Sequence, residues 1–230
     1  MGIATEPGDR TRPWLITAGA AIAWAGFTCV VLHLVSGRNP VTDTLSSYAY
    51  ANGGEMLGAS MLALAVGSLA LLGALCAARA AGGLTRLLFG TWSAGLATAA
   101  VFRASYPEHS NPLSGQIHLY SCMLAFVSLP AAGFSLLDRF SGAARKQLAR
   151  LTGFATAALA LFGVTYALPW LIPIGLVQRT ALATDLALLC GILVLIAKNA
   201  CIQAATTPSL IDEAGLSDDR PAGGGGVVVR

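Results

Sequence analysis

Six long apolar runs, Trp14–Val35, Met56–Ala78, Leu84–Phe102, Ile117–Leu137, Leu151–Leu171 and Ala181–Ala197, alternate with short polar connections. Crossing the hydrocarbon core of a bilayer takes about 20 helical residues, with a range of about 17–25. Each run is therefore long enough for one crossing and none for two. Lipid offers the backbone no hydrogen-bond partner, so only helices or a closed barrel can cross it. The runs are continuous and lack the ten-residue alternation of barrel strands, which excludes the barrel. The pattern predicts an all-α polytopic membrane protein with six transmembrane helices bundled over residues 14–200. A segment 1–13 precedes the bundle and a tail 201–230 follows it. From about Thr206 the tail carries Asp212, Glu213, Asp218, Asp219 and four consecutive glycines without apolar periodicity, and is expected to be unstructured. Arg10 and Arg12 precede the first run as in a signal peptide. The run exceeds the about 7–15 residues of a signal core, and no small-x-small cleavage site follows Val35, so it reads as a retained anchor.

The connection after the first run, SGRNPVTDTLSSYAYANGGE (36–55), is a polar island of unusual content. Pro40, then Thr42 and Asp43, then Tyr48 and Tyr50 predict a short interfacial helix over residues 41–50. Asp43 or Thr42 would cap its start, with Leu45, Tyr48 and Tyr50 turned to lipid or bundle.

Composition agrees with a bilayer as solvent. Charged residues make up 11% of the chain, hydrophobic residues 55%, and mean hydropathy is +0.68, against about 25% charged in soluble domains. A net charge of +3 with basic residues scattered at the ends of the runs makes no nucleic-acid stripe. The prevalence of arginine, alanine, glycine and leucine points to a GC-rich bacterial genome, and so to a bacterial plasma membrane. The basic residues also orient the bundle. Of the 14 lysines and arginines, only Arg38, Arg103 and Arg179 fall on one side of the six runs; the rest fall on the other. By the positive-inside rule both termini are cytoplasmic.

That orientation gathers the rare polar residues on the outer face. His33, His109 and His118 lie there, as do Asp43, Glu55 and Glu108, and Asp185 sits about 8 Å inside the sixth run at 1.5 Å per residue. A carboxylate within a span is costly unless paired or facing a wet interior. Asp185 is therefore expected to pair with Arg103, Arg179 or His118, and the candidate polar pocket comprises His33, Asp43, Arg103, His118 and Asp185. His118 and Cys122 lie one helical turn apart and form a weak candidate metal pair; the sequence predicts no cofactor. The five cysteines lie in the runs or at their cytoplasmic edges, which speaks against disulfides.

HLVSGRNPVTDTLSSYA (33–49) and FRASYPEHSNPLSGQIH (102–118) together resemble the bacterial membrane family catalogued as Domain of Unknown Function 998. The resemblance covers roughly residues 14–200 and implies six spans. It carries over His33, Asn39, Pro40, Asp43, Ser46 and His118, whereas Glu108 stands where an aspartate near the proline would be expected. It implies no established activity. Three functions fit these residues. One is a non-enzymatic membrane protein whose outward pocket binds lipid headgroups or a small ligand. The second is a membrane-embedded, metal-dependent hydrolase using His33, Asp43, His118 and Asp185, and the third is a small proton-linked carrier. Membrane lipids are the expected partners, and nucleic acid is not.

Overall fold

The computed structural model describes residues 7–170 and 172–215, with side chains described over 10–170 and 172–201. It is all-helical: the described residues form no β-strand, only an isolated bridge between Tyr106 and His109. Six α-helices follow one another, α1 (Pro7–Val35), α2 (Glu55–Ala77), α3 (Gly83–Val101), α4 (Pro112–Leu136), α5 (Gly142–Ala167) and α6 (Ile174–Gly215). A 3-10 helix, Leu45–Tyr50, forms the middle of the polar island. Five of the six, all but α3, are long and apolar enough to cross a membrane. The protein is a multi-pass membrane protein.

The helices extend beyond the apolar runs wherever polar residues continue the winding. Thus α5 begins at Gly142, although the apolar run starts at Leu151, because Arg145, Lys146 and Arg150 are good helix formers that simply project from it. The helix α6 continues to Gly215, ten residues into the segment expected to lack structure. The remainder of that tail lies outside the described residues. Sequence signals set the ends of α2 and α4. Asn111 caps α4 by accepting from Ser114 N at 3.1 Å, with Pro112 at the first helical position. Arg79 takes a left-handed φ of 55° after α2, and the amides of Ala80 and Ala81 turn back to Leu75 O.

Each helix packs on its neighbours in sequence, and α6 closes the ring by packing on α1. Connections of five or six residues join α2 to α3, α4 to α5 and α5 to α6, short enough to make those neighbours antiparallel, as in an up-down bundle. The largest side chains in the ring, Trp92, Phe89, Leu71, Leu129 and Ile192, are fully buried. Trp92 satisfies its indole N–H on Ser68 Oγ at 2.8 Å, and Ser68 donates in turn to Leu64 O. Where helices meet most closely, small residues line the seam. A methyl at Gly95 of α3 would stand 2.7 Å from Ser121 O of α4. The outward faces are apolar: Trp24, Phe27, Val30 and Leu34 form an exposed stripe along α1, a surface that water would not tolerate and lipid covers.

Candidate functional site

The polar residues collect at one end of the bundle, beneath and around the island. Asn39 Oδ1 accepts from Val41 N at 2.9 Å, and the Asp43 carboxylate accepts from Asn39 N at 3.2 Å and from the Thr42 hydroxyl at 3.2 Å. Asp43 thus closes the turn before the 3-10 helix and does not cap it. Thr44 occupies the cap position without a side-chain bond to the helix, its hydroxyl being paired with Tyr106 OH at 2.7 Å. The helix start is instead capped from across the bundle: Leu45 N donates to Gln178 Oε1 of α6 at 2.6 Å. The expected ten-residue helix is correspondingly reduced to Leu45–Tyr50. Of the three side chains assigned to lipid or bundle, Leu45 and Tyr48 are buried against Leu32 and Leu57. Tyr50 donates to Ala104 O at 2.7 Å and stacks on His109 with ring centroids 4.3 Å apart.

Arg179 clasps the island to the helices. Its Nε–H donates to His33 Nε2 at 2.9 Å, and one terminal nitrogen donates to Asp43 O at 2.8 Å and to Gly175 O at 3.0 Å. The guanidinium lies over the Tyr48 ring, 5.0 Å from its centroid. This contact fixes the His33 tautomer. An arginine N–H can only donate, so His33 Nε2 accepts, and the ring proton on Nδ1 goes to Cys29 O at 2.7 Å. Close backbone contact completes the clasp: Leu176 N donates to Val41 O at 3.0 Å, and a methyl at Gly175 would stand 2.5 Å from Asp43 O.

His118 plays a different part. Its Nδ1 lies 2.9 Å from Ala99 O and 2.8 Å from Phe102 O, carbonyls at the end of α3 that lack intrahelical partners. Both can only accept, so Nδ1 carries the proton and Nε2 presents a lone pair. That nitrogen faces Ser46 Oγ at 3.3 Å and Cys122 Sγ at 3.5 Å. Ser46, His118, Cys122 and Gln178, with Cys29 and Ser60, form the polar part of a cavity of about 120 Å³, walled otherwise by apolar side chains such as Leu57, Leu64, Leu96, Phe126 and Leu182. A second recess of about 180 Å³ is lined by Arg38, Ser47 and Tyr50 and by Tyr106, Glu108 and His109 of the 102–111 connection. Burial pushes the Tyr106 phenol above its usual range, and the hydrogen bond with Thr44 partly offsets this.

The five residues expected to share one pocket do not converge. His33 and the Asp43 backbone meet at Arg179, and His118 faces the cavity. Arg103 is exposed, with its guanidinium 6.0 Å from the Tyr50 ring. Asp185 is 4% exposed, its Oδ1 has no partner, and it forms no hydrogen bond or ion pair with Arg103, Arg179 or His118. An ion pair between Arg145 and Asp138 lies beyond the far end of α4. The three candidate partners are engaged or placed elsewhere: Arg179 bonds His33 and the island, His118 bonds the end of α3 and faces Ser46, and Arg103 is exposed. Asp185 lies about 16 Å along α6 at 1.5 Å per residue. His118 and Cys122 do face one another, but no third His, Cys, Asp or Glu joins them among the described residues. Ser46 and Gln178 take prominent places in the cavity. Gln178 went unnoticed in the sequence, although a Gln-Arg pair just before an apolar run signals polar groups entering a helix interface.

Compared with curated proteins and with solved structures, the chain matches none. A family match spans residues 17–195, most of the helical bundle and the whole of the island, and the chain belongs to the family described as protein of unknown function (DUF998).

Proposed function

We propose that the chain is a six-span protein with both termini in the cytoplasm, whose cavity at the outer end binds the apolar part of an amphiphilic membrane lipid. Support for the sixth span comes from α3, which at 19 residues is about 28 Å long at 1.5 Å per residue and packs in the ring between α2 and α4. The observation that carries the ligand reading is the make-up of the cavity. Ser46, His118, Cys122 and Gln178 give it a polar side, Cys29 and Ser60 add a thiol and a hydroxyl that is bonded to Ala25 O, and the remaining wall is apolar. A volume of about 120 Å³ holds a group approaching benzene in size, and a site with so few polar partners retains water poorly. A short length of acyl chain with its linkage at the polar end satisfies both parts. The recess lined by Arg38, Tyr106 and His109 then offers cationic and hydroxyl groups to a headgroup at the surface.

The test is native mass spectrometry of the protein extracted with its lipids. A retained lipid is expected in the parent chain and in Leu69→Phe, which alters only an exposed apolar face. Met61→Phe or Leu64→Phe, which fill the cavity, should lose it. Equal retention in all of these variants sinks the reading.

A second reading, a small proton-linked carrier, draws on Asp185, a buried carboxylate whose Oδ1 has no partner. It requires a flux in vesicles driven by a pH gradient and abolished by Asp185→Asn.

A further inference from the structure

We propose that Ser46 and His118 are a nucleophile–base pair that transfers the acyl group of an ester-linked lipid held in the cavity. The inference rests on the lipid reading of that cavity. Three features of the geometry carry it. The first is the tautomer. With Nδ1–H held by Ala99 O and Phe102 O, the basic Nε2 is aimed at Ser46 Oγ, 3.3 Å away, on the cavity wall. A base hydrogen-bonded to a hydroxyl and oriented from behind by a third group is the general arrangement that activates a serine. Here two backbone carbonyls take the place usually filled by a carboxylate. They fix the ring without a negative charge, so the base is correctly aimed but the imidazolium is less stabilised, and slow turnover is expected.

The second feature is Gln178. Its Oε1 is committed to Leu45 N at 2.6 Å, which turns the amide nitrogen away from that bond. Among the described residues Nε2 has no partner, and Gln178 lines the same cavity. The bond to Leu45 N anchors this amide beside the residue that precedes Ser46, and an amide N–H in the same cavity is the kind of donor that stabilises a developing oxyanion. The third feature is the surroundings. The walls are apolar and His118 is 7% exposed, so charge developing in the reaction is screened little by water. A histidine acting only as a cap for α3 needs its Nδ1–H alone. It does not need a hydroxyl opposite Nε2 or an apolar cavity beside it.

The step balances with water as co-reactant. Ser46 Oγ attacks the ester carbonyl carbon as its proton passes to His118 Nε2, while Gln178 Nε2–H donates to the carbonyl oxygen. The bond from that carbon to the alcohol oxygen breaks, and the departing oxygen takes the proton from Nε2. Water then adds to the acyl-Ser46 ester by the same route, releasing the carboxylic acid and restoring Ser46.

The test treats the full chain, purified in detergent, with a fluorophosphonate probe and maps the adduct by peptide mass spectrometry. An adduct on Ser46 is expected, absent in Ser46→Ala and unchanged in Cys190→Ala, which removes an exposed thiol outside the cavity lining. His118→Asn keeps an N–H at the δ position to offer Ala99 O and Phe102 O but lacks the base. It should melt near the parent and label at least about 100-fold more slowly, the lower end of what a general base supplies. Labelling of Ser46 that is undiminished in His118→Asn overturns the pair, and an adduct on Cys122 in place of Ser46 overturns the nucleophile. No adduct on Ser46 in a preparation that retains its lipid overturns the chemistry and leaves lipid binding standing. An adduct in a preparation that holds no lipid supports the pair and sinks the lipid reading.

Discussion

Gln178 holds the buried amide of Leu45 across 133 residues of chain, and its removal isolates the consequence of one such bond. A buried donor left without an acceptor costs about 1–3 kcal/mol. Gln178→Leu should therefore lower the denaturation midpoint, whereas Gln178→Glu, which keeps the acceptor, should recover most of the loss. Thermal melting in detergent compares them, and equal midpoints for the two variants would remove the capping role. Asp185 presents the opposite case, a carboxylate whose buried Oδ1 nothing satisfies. An unpaired group in an apolar setting is a cost to the fold, so Asp185→Asn should leave the bundle as stable as the parent or more so. Arg103 lies at the rim over Tyr50, away from it. The effects of Asp185→Asn and Arg103→Gln should then add within about 0.3–0.5 kcal/mol, and a larger coupling in a double-mutant cycle would restore the ion pair that the structure lacks.

At the scale of elements, the island is folded by α6 more than by its own residues. A 3-10 helix of six residues has little stability alone. It is held by Gln178 and Arg179 from α6, by His33 beneath Arg179, and by backbone contact at Gly175. A side chain at Gly175 would press into Pro40 O, Val41 O and Asp43 O together. Gly175→Ala should cost about 1–3 kcal/mol, the usual cost of overpacking. It should loosen residues 39–50 before the bundle, and faster amide exchange confined to that segment is the expected signature. Uniform exchange throughout the chain would mean that the island is not a separate unit held by α6.

For the whole molecule, the proposed topology puts the island and the 103–111 connection outside. Ser110, exposed in that connection, gives the cleaner probe: Ser110→Cys should react with an impermeant maleimide on intact cells more than the parent chain does. Labelling that appears only after permeabilisation would invert the bundle.

The all-helical class, the membrane setting and the approximate position of each long helix were decided by the sequence alone, because lipid forces a long apolar run into a self-satisfied helix whatever its neighbours do. The polar island was equally visible as the place where rare chemistry gathers. What the chain's linear pattern could not decide was who meets whom. Asp43 has the residue type of a helix cap, yet its carboxylate serves the turn before the helix while Gln178 serves the helix itself. His33 and His118 look alike in sequence, yet one accepts from Arg179 and the other faces Ser46. Asp185 looked destined for a cation, yet its Oδ1 is unpaired while Arg179 turns to His33 and the island and Arg103 stays exposed. Such pairings depend on the depth and rotation of helices far apart in the chain. Ring closure of α6 against α1 sets both, and no local signal encodes it.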